Sequence, residues 1–215
     1  MGRPGYWTDV DFVDLPDSGD GGVAVVGNNS IIIGQTFVFT PGVGITQVSA
    51  TLWDQDGRRT ISGLEGVWSF SWNINSAGAY VGITRQPITG DSGGFIGRDG
   101  SAVRLNFPGF PETRVYEIND SGHFVGVYEP VNNQIVRGYV ATYDFDTGEQ
   151  TIRDLGLFPG YQQTWVYANN NDGWIVGGAV GGAFGDLERA LIWPPGAEAP
   201  LDLNTMVDVP GATLI

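Results

Sequence analysis

The stretch that decides the fold is residues 118–126, with the sequence INDSGHFVG. Related stretches occur at residues 74–82 (INSAGAYVG) and 169–177 (NNNDGWIVG), and a more divergent copy, VGNNSIIIG, occurs at residues 26–34. The final glycines of the four copies are separated by 48, 44 and 51 residues. A self-similar period of this size is typical of solenoids, propellers and other repeat arrays.

Two further shared stretches follow each copy and complete the repeat. The second stretch occurs at residues 50–57, 94–100, 138–148 and 189–196. The third occurs at residues 60–64, 103–107 and 151–155, and residues 200–203 are the candidate for the same stretch in the fourth repeat. Alternating apolar residues separated by Asn/Asp/Gly turns predict four short antiparallel strands in each repeat.

Four antiparallel strands in about 45 residues indicate a propeller blade. We therefore expect an all-β protein, a β-propeller of about four blades that are each a four-stranded antiparallel sheet. Residues 1–215 would form a single repeat domain, and the blades are expected at residues 20–66, 67–110, 111–160 and 161–203. The second strands, which contain Val81, Val125 and Val176, are apolar on both faces, which favours burial between neighbouring blades.

The two ends of the chain leave the closure of the ring open. Residues 6–16 resemble a fourth strand without a preceding blade and are expected to complete the last blade, a place for which residues 201–203 compete. Residues 208–215 resemble the approach to a fifth repeat. The chain is accordingly either a closed four-bladed ring or a segment of a longer array.

Composition restricts the partners. Gly 34 and Pro 12 favour short strands and turns over long helices, and the net charge is −14. The ten basic residues are all arginine and are scattered along the chain, which disfavours nucleic acid and anionic membranes as partners. Disulfides and thiolate metal sites require cysteine, and the chain has none. No apolar run reaches the ~18 residues of a membrane span, and residues 1–7 lack the apolar region of a secretory signal.

The turn-and-strand stretch at residues 118–126, together with residues 190–196 (ALIWPPG), resembles the HAF repeats of bacterial exported proteins. The resemblance extends over residues 23–203, and the first copy lacks the Asn-Asp-x-Gly turn. It implies an extracellular, propeller-like protein and supplies no catalytic residues.

The aromatic residues before the repeat turns form the candidate binding site. Residues 68–72, 112–116 and 163–167 align, so equivalent side chains form two columns. The first column is Phe70, Arg114 and Trp165, and the second is Trp72, Tyr116 and Tyr167. Aromatic faces beside an arginine suit stacking on sugars, peptides or other rings, although the same columns could instead pack between blades.

Other motifs do not predict chemistry. Residues 90–94 (GDSGG) match the stretch around the nucleophile of chymotrypsin-like proteases, but that mechanism needs a histidine base and the chain has only His123. The Asp-rich turns at residues 17–21, 54–57 and 144–148 contain oxygen ligands suited to calcium, yet such residues are also typical of hairpin turns. We predict no catalytic residues, metal site or cofactor.

These observations favour a secreted bacterial module that binds an extracellular glycan, peptide or protein, or takes part in assembly, and that is not an enzyme. A secreted glycan-acting hydrolase is the alternative, with carboxylates such as Glu117 and Asp120 as candidates. A structural spacer that self-associates through its blade edges is a third hypothesis.

Overall fold

A computed structural model describes residues 5–7, 12–15, 21–27, 30–110, 112–129, 135–181 and 187–206 of the chain. These residues form strands and one 3-10 helix, Leu203–Thr205. The strands are β1 (Gly5–Trp7), β2 (Phe12–Asp14), β3 (Gly22–Gly27), β4 (Ile32–Thr40), β5 (Gly44–Asp54), β6 (Gly57–Thr60), β7 (Trp68–Ile74), β8 (Tyr80–Arg85), β9 (Ser92–Arg98), β10 (Ser101–Arg104), β11 (Arg114–Ile118), β12 (His123–Tyr128), β13 (Arg137–Tyr143), β14 (Gln150–Asp154), β15 (Gln163–Asn169), β16 (Ile175–Gly181), β17 (Leu187–Trp193) and β18 (Leu201–Asp202).

Four antiparallel sheets follow one another along the chain, and each has four strands in chain order. Sheet 1 contains β3–β6, sheet 2 contains β7–β10, sheet 3 contains β11–β14 and sheet 4 contains β15–β18. The predictions of an all-β fold and of one four-stranded antiparallel sheet per repeat are therefore confirmed.

The N-terminal segment has a different partner from the one expected. Phe12–Asp14 pairs with Gly5–Trp7 in a separate two-stranded sheet. The place beside β17 is taken by Leu201–Asp202, whose residues face Ile192 and Leu191. The expectation that residues 6–16 supply the fourth strand of the last sheet is wrong for the described residues, because the closer C-terminal segment makes that pairing.

The chain divides into two compact units, Met1–Leu105 and Asn106–Ile215, and each contains two of the four-stranded sheets. In the N-terminal unit β7 packs across β3, β4 and β5, and in the C-terminal unit β15 packs across β11, β12 and β13. The first strand of one sheet thus covers the face of the preceding sheet. The single-domain assignment for residues 1–215 stays a prediction.

Each unit has an apolar core between its two sheets. The N-terminal core contains Ile33, Leu52, Tyr80 and Phe95, and the C-terminal core contains Val125, Leu155, Val166, Leu191 and Trp193. Burial of these large side chains provides most of the driving force that holds the two sheets of a unit together.

A β-bulge interrupts the first strand of each four-stranded sheet at the same place. The register passes over one residue, which is Val25 in sheet 1, Trp72 in sheet 2, Tyr116 in sheet 3 and Tyr167 in sheet 4. The residue just before the bulge faces the last glycine of the repeated stretch, namely Gly34, Gly82, Gly126 or Gly177. The repeated sequence therefore corresponds to a repeated irregularity of the backbone.

The bulge explains why these four positions are glycine. A Cβ atom on Gly126 would lie 1.8 Å from the carbonyl oxygen of Arg114. On Gly34, Gly82 and Gly177 it would lie 2.0, 2.1 and 2.0 Å from the carbonyl oxygens of the equivalent residues, Val23, Phe70 and Trp165. Any side chain at these positions would displace the neighbouring strand.

The turn before the second strand is also the same in three sheets. The Oδ1 atoms of Asn75, Asn119 and Asn170 each accept, at 2.9 Å, the backbone N–H of the residue four positions later. The glycine of each turn has φ between +79° and +84°, a region that glycine enters without steric cost. In the C-terminal unit the two turns also bond each other, since Asn119 Nδ2 donates to the carbonyl oxygen of Asn170 at 2.7 Å.

The second strands are only partly as predicted. Val81 and Val125 are fully buried, as expected, but the side chain of Val176 is 39% exposed. Val125 lies in the core between sheets 3 and 4, whereas Val176, its equivalent in sheet 4, has no following sheet within its unit. The expectation that this strand is buried on both faces is therefore wrong for sheet 4.

Backbone hydrogen bonds align the fourth strands of three sheets. The backbone N–H groups of Ile61, Leu105 and Leu155 donate to the equivalent carbonyl oxygens of Ala50, Gly94 and Gly138, each at 2.9 Å. Ile61, and not Leu64, is therefore the counterpart of Leu155. Sequence similarity alone does not determine this alignment, because the apolar residues recur at short intervals.

Two adjacent glycines of β16 test the steric constraint. Gly177→Ala should lower the free energy of unfolding by about 1–3 kcal/mol or more, because its Cβ would meet the Trp165 carbonyl oxygen at 2.0 Å. Gly178→Ala is the matched control, since its Cβ would lie 3.3 Å from the nearest atom, the Arg189 carbonyl oxygen. Urea denaturation measures both, and equal losses for the two variants would contradict the constraint.

Buried tyrosines make the stability sensitive to alkaline pH. Burial, together with a 2.9 Å hydrogen bond to the Asp154 carboxylate, raises the pKa of Tyr128 to about 12. The unfolded pKa is about 10, so the neutral phenol stabilises the fold fully below pH ~10, and this contribution is lost as the pH rises through 12. We expect the urea midpoint to fall between pH 9.5 and about 12, with a shallower decline for Tyr128→Phe. A decline of equal slope in the variant would show that Tyr128 is not responsible.

Candidate functional site

The second aromatic column coincides with the bulges. Trp72, Tyr116 and Tyr167 are the extra residues of β7, β11 and β15. A bulge redirects the side chain that it carries, and Trp72 and Tyr167 are 44% and 56% exposed. Tyr116 is half-buried. Two of the three side chains are therefore available to solvent on a backbone whose path is fixed by the neighbouring glycine.

The first column has a different environment. Phe70, Arg114 and Trp165 are half-buried, and their carbonyl oxygens lie against the repeat glycines. The Trp165 indole N–H donates to Oε1 of Gln163 at 3.1 Å. The backbone at these positions thus has a structural role, while the side chains occupy the border between core and solvent.

In sheet 3 the two columns meet in a polar cluster. Arg114 donates to Oε1 of Glu129 at 2.7 Å and also interacts with the Tyr116 hydroxyl. Burial raises the pKa of Tyr116, and the nearby guanidinium partly opposes that change. The Tyr139 hydroxyl donates to the Arg114 carbonyl oxygen at 3.3 Å. The cluster offers a cation, a carboxylate and a phenol for hydrogen bonding.

The structure groups the six candidate residues by unit. Phe70 and Trp72 belong to β7 of the N-terminal unit, and the other four belong to β11 and β15 of the C-terminal unit. Strands β11 and β15 pack against each other. All six residues occupy equivalent places in the first strand of a sheet, as the alignment predicted.

The protease-like stretch is part of a connection between strands. Ser92 begins β9 and faces Arg85 of β8, while the Asp91 carboxylate accepts a 2.7 Å hydrogen bond from the Thr89 hydroxyl. His123 belongs to β12 in the other unit. These contacts describe a hairpin connection and give Ser92 no catalytic partner among the described residues of its own unit.

The aspartates of two turns bond to their own backbone. Asp54 Oδ1 accepts from the N–H of Asp56 at 2.9 Å, and Asp144 Oδ1 accepts from the N–H groups of Asp146 and Thr147. The backbone hydrogen bonds lower the pKa of Asp144. Residues 17–20 of the third Asp-rich turn lie outside the described residues. Within the part of the chain that is described, no three carboxylates or histidines are grouped as metal ligands would be.

One exposed apolar feature was missed at the level of sequence. Strands β4 and β5 extend beyond β3, whose pairing ends at Thr36, and form a two-stranded arm. The arm exposes four large apolar side chains, namely Val38, Phe39, Val43 and Ile45. A signal for it exists, because residues 21–53 contain no charged side chain although the chain has a net charge of −14.

Comparisons with known proteins leave the site to be interpreted from its geometry. A scan against protein-family models, a search of curated proteins and a search of solved structures each found no match to the chain. The resemblance to HAF repeats stays a prediction. The residues that the structure describes include no helix with the length and apolar character needed to cross a membrane.

Truncation of an exposed bulge residue should leave the fold intact. We expect Trp72→Ala to change the free energy of unfolding by less than about 1 kcal/mol, because nearly half of the side chain is already exposed. Val125→Ala is the buried reference and should cost about 1–3 kcal/mol. Thermal and urea unfolding compare the two, and a larger loss for Trp72→Ala would show that the bulge column is packing.

Proposed function

We propose that this chain is an extracellular β-propeller that works as a binding or assembly module and has no catalytic activity of its own. The observation that carries the proposal is the repeated glycine-backed bulge, which presents Trp72 and Tyr167 to solvent. Aromatic side chains on a rigid backbone lose little conformational freedom on binding and offer large stacking faces.

The propeller itself is part of the proposal. Four four-stranded sheets in chain order, with the first strand of a sheet packed on its predecessor in each unit, are what consecutive blades require. The resemblance to HAF repeats supports both the propeller and the extracellular location.

The ligand class follows from the side chains of the columns. Trp72 and Tyr167 offer flat apolar faces, and the Arg114–Glu129 pair beside Tyr116 offers charged hydrogen-bonding groups. This combination suits the ring faces and hydroxyls of a glycan or the side chains of a peptide. The uncharged arm supplies a separate apolar surface that suits a protein partner or self-association.

The hydrolase alternative requires different chemistry. A glycan-acting hydrolase uses two carboxyl groups, one of them with a raised pKa as general acid. The pKa values of Glu65 and Asp144 are lowered by backbone hydrogen bonds in turns. Neither carboxyl is therefore suited to donate a proton at neutral pH.

A glycan and peptide array, followed by calorimetry with the strongest hit, tests the proposal. We expect Trp72→Ala and Tyr167→Ala to weaken binding about tenfold each, the loss typical of a stacking contact worth about 1.4 kcal/mol. Phe39→Ala is the matched control because Phe39 is also 44% exposed but lies on the arm. A loss of affinity confined to Phe39→Ala would show that the ligand binds to the arm. Turnover of an array glycan would show that the protein is a hydrolase.

A further inference from the structure

A groove in the C-terminal unit is separate from the bulge columns. It has a volume of about 440 Å³ and lies between one face of sheet 3 and the turns of sheet 4. Sheet 3 contributes His123, Thr142, Thr151 and Arg153, and sheet 4 contributes Pro195 among other residues. His123 faces Thr142, which in turn faces Thr151, so these polar side chains share one face of the sheet.

The N-terminal unit provides an internal comparison. Arg59 faces Leu52 in sheet 1 as Arg153 faces Val140 in sheet 3, and the register makes Asp54 the counterpart of Thr142. Arg59 forms an ion pair with Asp54, and its guanidinium also lies against Gly100 of sheet 2. The arginine of sheet 1 is therefore occupied by a carboxylate of its own sheet.

Backbone hydrogen bonds also join the sheet edges in this region of the N-terminal unit. The N–H of Ser62 donates to the Gly100 carbonyl oxygen at 3.0 Å, and the N–H of Ala102 donates to the Ser62 carbonyl oxygen at 2.9 Å. These bonds join the edges of sheets 1 and 2 in a parallel bridge. In the C-terminal unit the corresponding edges are linked by a side chain instead, because Arg153 Nη1 donates to the Ala197 carbonyl oxygen at 2.8 Å.

Sheet 3 has Thr142 at the place where sheet 1 has Asp54, so Arg153 lacks the ion pair that Arg59 makes. Within the described residues no carboxylate lies within 4.0 Å of its guanidinium, and none lines the groove, although the chain has 24 acidic residues. Five other arginines do pair with carboxylates: Arg59, Arg98, Arg114, Arg137 and Arg189. A half-buried cation beside an acid-free groove favours an anionic ligand.

We infer that the groove binds a small sugar carboxylate of hexuronate size. The Arg153 guanidinium has a planar fork of donors that matches a carboxylate, and one of its nitrogens is already fixed by Ala197. The Thr142 and Thr151 hydroxyls, which bond each other, provide donors and acceptors for sugar hydroxyls. Val140, Ile175 and Pro195 supply apolar surface for the face of the ring.

This site is independent of the proposed bulge-column function. None of the six column residues lines the groove. Trp72→Ala and Tyr167→Ala should therefore leave uronate binding unchanged, so a failure of either proposal does not imply a failure of the other.

Isothermal titration calorimetry with glucuronate tests the inference, with glucose as the neutral ring and acetate as the bare carboxylate. We expect glucuronate to bind at least about tenfold more tightly than either control. A charge-assisted bidentate contact is worth at least a tenfold gain in affinity. Binding of glucose equal to that of glucuronate, or no saturable binding of glucuronate at tens of millimolar, would overturn the proposal. If acetate bound as tightly as glucuronate, the proposal that the groove recognises the sugar ring would be overturned.

Two substitutions locate the site. Arg153→Met should abolish the preference for glucuronate over glucose, because it removes the charge and keeps the length of the side chain. Thr142→Asp should weaken glucuronate binding about tenfold, since it restores the arrangement of Asp54 and Arg59 and supplies Arg153 with an internal carboxylate. Thr142→Val is the uncharged control and should have a smaller effect. Unchanged binding in Thr142→Asp, with a wild-type melting temperature, would contradict the assignment even if Arg153→Met failed to fold.

Discussion

The close approach of a carbonyl oxygen to a glycine Cα in every sheet is the constraint on which the rest of the structure depends. The bulge in the first strand turns the carbonyl oxygen of Val23, Phe70, Arg114 or Trp165 onto the second strand, where only glycine leaves room for it. In sheets 1, 2 and 3 the same contact fixes the register of the two strands, because a slip by one residue would bring a side chain onto that oxygen. The most recognisable part of the sequence repeat is thus a packing requirement of the backbone.

The constraint acts on the backbone of the first strand and leaves the bulge side chains available for recognition. Because the contact uses the backbone of the first strand, the side chains at the bulge can differ without changing the register, and they are valine, tryptophan and tyrosine. The positions just before and after each residue of the first column are instead buried, as Ser69 and Ser71 in sheet 2 and Thr164 and Val166 in sheet 4 show. Ser69 further ties the sheets together, since its hydroxyl accepts the backbone N–H of Ala50 at 2.8 Å. Variable side chains on an invariant backbone are what a binding surface built on a repeat requires.

The sequence is sufficient to predict the features that local chemistry determines. Turns such as the one at Asn119 combine a side-chain acceptor with a glycine of positive φ, and both requirements are visible in the repeated stretch. The sequence does not show the bulges, because the register across two strands is not a property of either strand alone. The equivalence of Arg59 and Arg153 likewise follows only from the strand pairing, because the fourth strands have little sequence in common. The exposure of Val176 could not be anticipated, because burial depends on which sheet follows.

The contrast between the two units shows how a repeat can acquire a site at little cost. An ion pair such as that of Arg59 and Asp54, in which the arginine side chain is 46% exposed, contributes only about 0–1 kcal/mol, because solvent screens it. Its absence in the C-terminal unit therefore removes little stability, and the core around Val125, Leu191 and Trp193 holds the two sheets together without it. Threonine at position 142 makes the groove more positive, because Arg153 keeps its charge and lacks the carboxylate that Asp54 supplies to Arg59. A position that is nearly neutral for folding thereby decides whether the arginine at this place is paired with a carboxylate of its own sheet, as Arg59 is with Asp54.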